Sequence, residues 1–184
     1  IVKKYYTDIT LPEILYGVII RSPIDSGTIR SITHPNLPEN YTIITARDIV
    51  GINKIVTNNI ESPVLAYEKV SYIGEPIGIL VGEDRIKLDE LLNEIEIKYT
   101  EAQESAEVIA NQTNIIASRS SSFGESELLY TNSEIKIERS YASNLQFTKN
   151  KEPLGAICNY TKKHITVYAP TQWPHQLRLG ICNV

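Results

Sequence analysis

The hydrophobic period of the chain changes twice within one short stretch, and this feature constrains the fold more than any other. Residues 76–82 (PIGILVG) are an uncharged apolar run of strand length. In residues 84–94 the apolar side chains return at helical spacing, and Asp84 is placed to cap the first turn. Residues 95–99 (IEIKY) then alternate between apolar and polar side chains, which is typical of a half-buried strand. A strand, a helix and a strand in succession predict a mixed α+β domain.

Strand patterns outnumber helical patterns in the rest of the chain. Before residue 76, β-branched and aromatic runs predict a buried strand at 14–21 and further strands at 28–33, 41–45 and 70–73. Between these strands the sequence predicts one helical turn at 46–51 and a polar surface excursion at 53–63. Residues 100–122 are polar and serine-rich, as in a linker. After them the pattern predicts a short helix at 124–132, a strand at 133–141, a hairpin of strands 155–160 and 164–169, and a helix with Pro174 in its first turn.

The charge balance argues against two classes of partner. The 184 residues carry 18 basic and 22 acidic side chains, a net charge of −4, so no excess of Lys or Arg exists to neutralise nucleic acid or an anionic membrane. The longest apolar runs, 14–20 and 76–82, are far shorter than the roughly 20 residues that span a bilayer. Because the chain has no Met and no apolar leader, we expect a piece of a longer, cytoplasmic protein.

Few residues could carry chemistry. Cys158 and Cys182 have no His or Cys at ligand spacing, so the pattern predicts no metal site and two buried, inert thiols. The positions of His34 and His164 favour structural or solvated roles, whereas His175 lies near a helix start. A Ser-His-Asp set and a glycine-rich phosphate loop are both missing from the sequence. Residue by residue, the sequence predicts no catalytic group and indicates a non-catalytic α+β fragment.

Five short motifs in order resemble the molybdenum-binding large subunit of the xanthine dehydrogenase and aldehyde oxidase family. In the first hundred residues they are LYGVIIRSP (15–23), TARDI (45–49) and KVSYIGEPI (69–77), the last being the most specific. Further on they are EPLGA (152–156) and TQWPHQLR (171–178). The resemblance implies an α/β hammerhead domain with a mixed sheet at 1–105, a linker at 106–122 and the truncated start of a molybdopterin-binding domain at 123–184.

The same motifs also have a purely structural interpretation. The Pro of Arg21-Ser22-Pro23 lacks a backbone donor and ends a strand, and Gly74-Glu75-Pro76 suits a turn. Residues 171–174 supply a polar group and a Pro for the start of a helix. Strand ends, turns and helix starts of this kind define a fold and need not have a catalytic role.

One site residue follows from the resemblance. In the family, a Gln six positions before the Glu-Pro pair points at the molybdenum centre, and that position here is Gln146. Its amide can donate a hydrogen bond to a metal-bound oxygen, a neutral orienting role, while the alternative is an ordinary loop Gln in contact with solvent. The sequence departs from the family at 147–151 (FTKNK), where two lysines replace apolar side chains. Because unpaired buried lysines are costly, we expect this loop to face solvent or to fold differently.

The resemblance implies a parent enzyme that hydroxylates a purine, another N-heterocycle or an aldehyde, with water as the oxygen source. Molybdopterin would bind the full-length parent, iron–sulfur clusters and FAD would bind other domains or subunits, and this fragment alone is expected to bind none of them. The glycine-rich cofactor loop and the Glu general base of the family lie C-terminal to Arg178, so the fragment is expected to be inactive alone. Expected partners are the remainder of the large subunit, the iron–sulfur and FAD subunits or domains, and a second copy of the fragment. The alternative function is a non-catalytic binding or assembly module built on the hammerhead scaffold.

Overall fold

The computed structural model describes residues 5–57, 60–101, 118–144 and 146–184. Its strands are β1 (Tyr16–Arg21), β2 (Gly27–Thr33), β3 (Thr42–Thr45), β4 (Ile55–Thr57), β5 (Ile60–Ser62), β6 (Lys69–Val70), β7 (Pro76–Gly82), β8 (Glu96–Glu101), β9 (Ile157–Tyr160) and β10 (Ile165–Tyr168). Its helices are α1 (Arg85–Asn93), α2 (Ser126–Asn132) and α3 (Pro174–Asn183), with 3₁₀ turns at Tyr6–Asp8 and Ala46–Asp48. None of the helices in these ranges has the length and apolarity of a membrane span. The mixture of helices and small sheets is the α+β class predicted from the sequence.

β7 is the centre of the first sheet, whose strand order is β1-β7-β3. Both neighbours run antiparallel to β7, and the register places Leu80 between Val18 and Ile43. Helix α1 packs on β1 and β7. The buried cluster between the helix and the sheet consists of Ile20, Leu80, Leu88 and Leu91.

β2 is the centre of the second sheet, β6-β2-β8, and is also antiparallel to both neighbours. The buried cluster beside this sheet contains Ala66, Val70 and Ile77. Ile77 belongs to β7 of the first sheet, and Ile97 of β8 packs against both clusters. Strand β7 therefore contributes to two cores, which explains why its sequence is apolar at successive positions instead of alternating.

Helix α1 and the strand after it match their predictions. The carboxylate of Asp84 accepts hydrogen bonds from the N–H groups of Ile86 and Lys87, over 2.7 and 3.2 Å, and so caps the first turn. Leu88 is fully buried, whereas Ile86 on the other side of the helix is 74% exposed. The chain then enters β8, which pairs with β2 along its length. The change of hydrophobic period thus marks the real junction between helix and strand.

The turn between β6 and β7 requires a glycine. Gly74 has a φ of +89°, and the N–H of Glu75 donates to the carbonyl oxygen of Tyr72 over 3.2 Å. This turn takes up residues that the sequence assigns to a strand at 70–73, so the strand is only Lys69–Val70.

Within the polar excursion predicted at 53–63, residues 55–57 and 60–63 are exposed, as predicted, and they include a hairpin of β4 and β5. Asn53 fixes its base from outside the strands. The Asn53 amide nitrogen donates to the carbonyl oxygen of Leu65 over 2.7 Å, and its amide oxygen accepts from the N–H of Leu65 over 3.0 Å. Side-chain hydrogen bonds of this kind replace the backbone ladder where a short hairpin leaves the sheet.

β1 is less buried than its apolar sequence predicts. The strand forms, but Ile20 is its most buried side chain and Ile19 is 42% exposed. Helix α1 covers one face of the sheet, and β1 lies at the edge with β7 as its neighbour. The side chains on its other face therefore remain accessible, so the strand predicted at 14–21 forms but its predicted burial is wrong.

The strand predicted at 133–141 does not form. The backbone after α2 is irregular, and Ile135 and Ile137 are 81% and 72% exposed. An alternating segment becomes a strand when a neighbour satisfies its backbone groups and covers one face. Among the described residues, this segment has no partner strand.

The rest of the C-terminal part follows the predicted order of a short helix, a hairpin and a helix. β9 and β10 pair antiparallel with Ile165 opposite Tyr160, and Pro174 begins α3. The side chains of this part are mostly exposed. Its contacts with the first hundred residues include the hydrogen bond from the Gln176 amide to the carbonyl oxygen of Val56, over 3.0 Å. The predicted linker at 106–122 lies mostly outside the described residues, so the domain boundaries remain a prediction.

Candidate functional site

Gln146 lies on an exposed, irregular segment between α2 and β9. Its side-chain nitrogen donates to the carbonyl oxygen of Asn144, 3.1 Å away, which ties the amide to its own loop. Gln146 lines neither the cleft formed by residues 150–154 and 170–172 nor the cleft formed by residues 172–176. The cofactor role inferred from the resemblance therefore remains a proposal.

The segment that follows Gln146 faces solvent. Phe147 is 85% exposed, and Lys149 and Lys151 are exposed as well. The two ammonium groups stay hydrated, so the departure from the family pattern carries no desolvation cost. Of the two alternatives stated for residues 147–151, the solvent-facing loop is the one observed.

The two later motifs meet in a cleft of 490 Å³. Lys151, Glu152 and Leu154 form one side of this cleft, and Thr171 and Gln172 form the other. The lining thus combines one cation, one carboxylate, neutral hydrogen-bonding groups and an apolar side chain, a mixture suited to a small polar ligand.

Glu152 is oriented by the N-terminal turn. Its carboxylate accepts a hydrogen bond from the N–H of Tyr6 over 3.1 Å, and the Tyr6 ring lies against Gly155 of the same motif. Sequence reasoning missed this contact because 146 positions separate Tyr6 from Glu152. The carboxylate is engaged by the backbone, which favours an anchoring role over proton transfer.

A second cleft, of 530 Å³, lies at the start of α3. Trp173 and His175 line it together with Thr57 of β4. The hydroxyl of Thr171 accepts a hydrogen bond from the N–H of Trp173 over 3.1 Å, and Pro174 follows as the first helical residue. The TQWPHQLR motif therefore serves as a helix start, as its structural interpretation predicts.

The motifs Arg21-Ser22-Pro23 and Gly74-Glu75-Pro76 contact each other directly. The N–H of Ser22 donates to the carbonyl oxygen of Glu75 over 2.9 Å, and the N–H of Gly74 donates to that of Ser22 over 2.8 Å. The Arg21 guanidinium donates to the carbonyl oxygen of Gly74 over 2.8 Å. Ser22 and Glu75 are 2% and 4% exposed. The two motifs lock the end of β1 to the turn before β7, so their role here is structural.

Tyr99 lies beside Ser22 at this junction, and its buried hydroxyl makes no hydrogen bond of ordinary geometry among the described residues. The neighbouring Ser22 hydroxyl bonds instead to the backbone of Ile24, donating to its carbonyl oxygen over 2.8 Å and accepting from its N–H over 3.2 Å. Burial raises the pKa of the Tyr99 hydroxyl, since the charged form would lose hydration. Tyr99 therefore stays protonated and contributes its ring to the core.

The remaining candidate groups are dispersed. In the described ranges, no three His, Cys, Asp or Glu side chains are arranged to hold a metal ion. Cys158 and Cys182 are free and exposed, so the prediction of buried thiols is wrong: no element of the described part of the chain covers either side chain. His34 and His164 are exposed, in agreement with solvated roles.

The described residues do not form a binding site for a molybdenum cofactor. The Gln146 amide has suitable chemistry, but it is exposed and its nitrogen already meets the carbonyl oxygen of Asn144. The polar groups of Lys151, Thr171 and Gln172 lie in a cleft that does not contain Gln146. A cofactor needs donors gathered around one cavity, and these groups do not share one.

Comparison with known proteins identifies the class. Residues 2–103 match the family model described as aldehyde oxidase and xanthine dehydrogenase, α/β hammerhead domain. The match covers more than half of the 184 residues. The chain therefore belongs to the aldehyde oxidase and xanthine dehydrogenase family, and the two antiparallel sheets with α1 are its hammerhead domain.

Two curated relatives are similar over nearly the whole chain. A probable xanthine dehydrogenase subunit of Bacillus subtilis (strain 168) is 24% identical over 195 residues, which covers 98% of this chain and 26% of the relative. The nicotine 6-hydroxylase large subunit of Paenarthrobacter nicotinovorans is 24% identical over 200 residues, which covers 96% of this chain and 24% of the relative. The chain thus spans about a quarter of the length of these relatives, and both are named as subunits.

A solved structure supports the same fold. The CO dehydrogenase from Oligotropha carboxidovorans superposes with a TM-score of 0.50 and 27% sequence identity. The superposition covers 54% of this chain and 13% of that one.

Proposed function

We propose that this chain is part of the molybdenum-binding large subunit of a xanthine dehydrogenase-like hydroxylase. The observation that carries the proposal is the hammerhead match at 2–103, together with alignment of nearly the whole chain to a probable xanthine dehydrogenase subunit and a nicotine 6-hydroxylase large subunit. The reaction would be oxidative hydroxylation of a purine, another N-heterocycle or an aldehyde, with the oxygen taken from water. Molybdopterin would serve the full-length protein, with iron–sulfur clusters and FAD on other domains or subunits.

Residues 1–184 would contribute a scaffold to this enzyme and would be inactive alone. The structural support is the position of Gln146, whose amide is exposed and lies outside the cleft formed by the later motifs. The remaining groups that hold the cofactor and the general base would come from the rest of the large subunit. The assembly would be cytoplasmic.

A non-catalytic binding or assembly module is the second candidate. It is favoured by the exposed segment at 147–151, which departs from the family pattern. On this alternative the hammerhead scaffold persists without redox chemistry, and Gln146 is an ordinary loop residue.

The two candidates are separated by expressing the complete reading frame in a host that makes the molybdenum cofactor. The hydroxylase proposal expects near-stoichiometric molybdenum and transfer of oxygen-18 from labelled water to an N-heterocycle or an aldehyde. The 184-residue chain, expressed in parallel, should hold no molybdenum, and a stoichiometric amount in it would contradict the scaffold role. A reading frame that stops soon after Val184, without a glycine-rich loop and a late Glu, would favour the module.

A further inference from the structure

The N-terminal turn contacts the EPLGA motif through Tyr6. Its N–H donates to the Glu152 carboxylate over 3.1 Å. A methyl group added at Gly155 would overlap the Tyr6 hydroxyl and would lie 3.0 Å from the ring carbon Cζ. The motif therefore holds Tyr6 by its backbone at one position and by its ring at another.

We propose that Tyr6 is a clasp through which the hammerhead domain fixes one side of the 490 Å³ cleft. Glu152 and Gly155 are then positioning residues of the EPLGA motif. Glu152 lines the cleft itself, and so do its neighbour Leu154 and Tyr5, the residue before the clasp. The proposal goes beyond the hydroxylase assignment, because neither Gln146 nor a cofactor takes part in the clasp.

Among the described residues, few other contacts hold this loop. Lys151 and Leu154 are exposed, the latter at 80%, whereas Glu152 is partly buried. A hydrogen bond from an N–H group to a carboxylate is stronger than one between neutral groups. Gly155 does not have a positive φ, so a side chain at this position would be opposed by the Tyr6 ring and not by the backbone conformation.

The clasp can be tested by NMR spectroscopy on the 184-residue chain labelled with nitrogen-15. The first measurement is the solvent exchange rate of the Tyr6 amide proton, and the second is the position of the Leu154 and Gln172 amide signals. Glu152→Ala should raise the exchange rate about tenfold and should shift both signals. Glu152→Gln keeps an acceptor oxygen and should restore most of the protection. Glu134→Ala, which changes an exposed glutamate outside the cleft, is the matched control.

A second set of variants tests the ring contact. Gly155→Ala should displace the Tyr6 ring and shift the Leu154 signal, and the same substitution should have little effect in a Tyr6→Ala background. Gly180→Ala is the control, because a methyl group there would meet no atom within 4 Å. The signal of Val167 in β10 should stay in place throughout, which reports that the hairpin remains folded.

Two results would overturn the clasp. One is a Tyr6 amide that exchanges as fast in the wild type as in Glu152→Ala. The other is a Gly155→Ala effect of the same size with and without the Tyr6 ring. Neither result depends on whether the complete protein binds molybdenum, so failure of the clasp and failure of the hydroxylase assignment are distinguishable.

Discussion

Leu88→Ala should strongly destabilise the hammerhead domain. Leu88 is fully buried and lies in the cluster with Leu80, which is also fully buried. Truncating such a leucine loses the transfer free energy of the side chain and leaves a cavity, together about 3 kcal/mol, with values up to about 5 kcal/mol where the site cannot collapse. We expect little collapse, because α1 packs on the sheet through this cluster and the sheet is held by its backbone ladder. For a domain of roughly 100 residues, 3 kcal/mol corresponds to a fall in Tm of roughly 12–24 °C.

The assay is urea unfolding of the 184-residue chain, followed by far-ultraviolet circular dichroism. The free energy of unfolding should fall while the m-value stays constant, because the surface exposed on unfolding is nearly unchanged. Ile86→Ala is the matched control, since Ile86 is on the same helix and 74% exposed, and it should cost less than about 0.5 kcal/mol. A loss below 1 kcal/mol for Leu88→Ala, or equal losses for the two variants, would refute the packing argument.

Three further predictions concern the turn, the loop and the hairpin. The Asp48 carboxylate accepts hydrogen bonds from the N–H and hydroxyl of Thr45, which hold its pKa below the usual range. Because the folded-state pKa is lowered, the stabilisation is present above the unfolded-state pKa and is lost as the pH falls through the folded-state pKa. The Tm difference between wild type and Asp48→Asn should therefore shrink on acidification, and a pH-independent difference would contradict this. In the full-length hydroxylase proposed above, Gln146→Ala should slow turnover by a factor of about 10²–10³ and leave the melting temperature nearly unchanged, whereas Phe147→Ala should not slow turnover. Wild-type turnover in Gln146→Ala would reject the cofactor contact. Sedimentation at increasing concentration should show that the 184-residue chain self-associates through residues 133–169. The reason is that β9 and β10 form a sheet of two strands whose outer edges are open among the described residues. A monomer at high concentration with protected amides in residues 133–169 would contradict this.

Features that depend only on residues adjacent in the sequence were predictable. The cap at Asp84, the helix after it and the hairpin of β9 and β10 all follow from local spacing and turn chemistry. The motif containing Gly74 was also predictable as a turn, because the positive φ that such a turn needs favours glycine. The exposure of Cys158 and Cys182 was not predictable, since burial depends on which elements cover β9 and α3.

The candidate site shows the same division. The sequence identified Gln146 and the motif beginning at Glu152 through their resemblance to a family. It could not show that Glu152 turns toward Tyr6, or that Gln146 lies outside the cleft. Contacts between residues this far apart leave no periodic signal in the chain, and they exist only once both elements are in place.

Two segments with nearly the same sequence pattern differ in structure, and the difference shows what the pattern alone does not determine. Residues 95–99 (IEIKY) and 133–141 (SEIKIERSY) both alternate, and by itself the sequence determined that each can adopt an extended conformation with one apolar side. The first lies beside β2, where Ile97 is opposite Ile32, and it is a half-buried strand. The second has no partner strand among the described residues, and Ile135 and Ile137 remain exposed. The tertiary structure decided between them, because a β-strand completes its hydrogen bonds and covers its apolar side only with a neighbour that is distant in sequence.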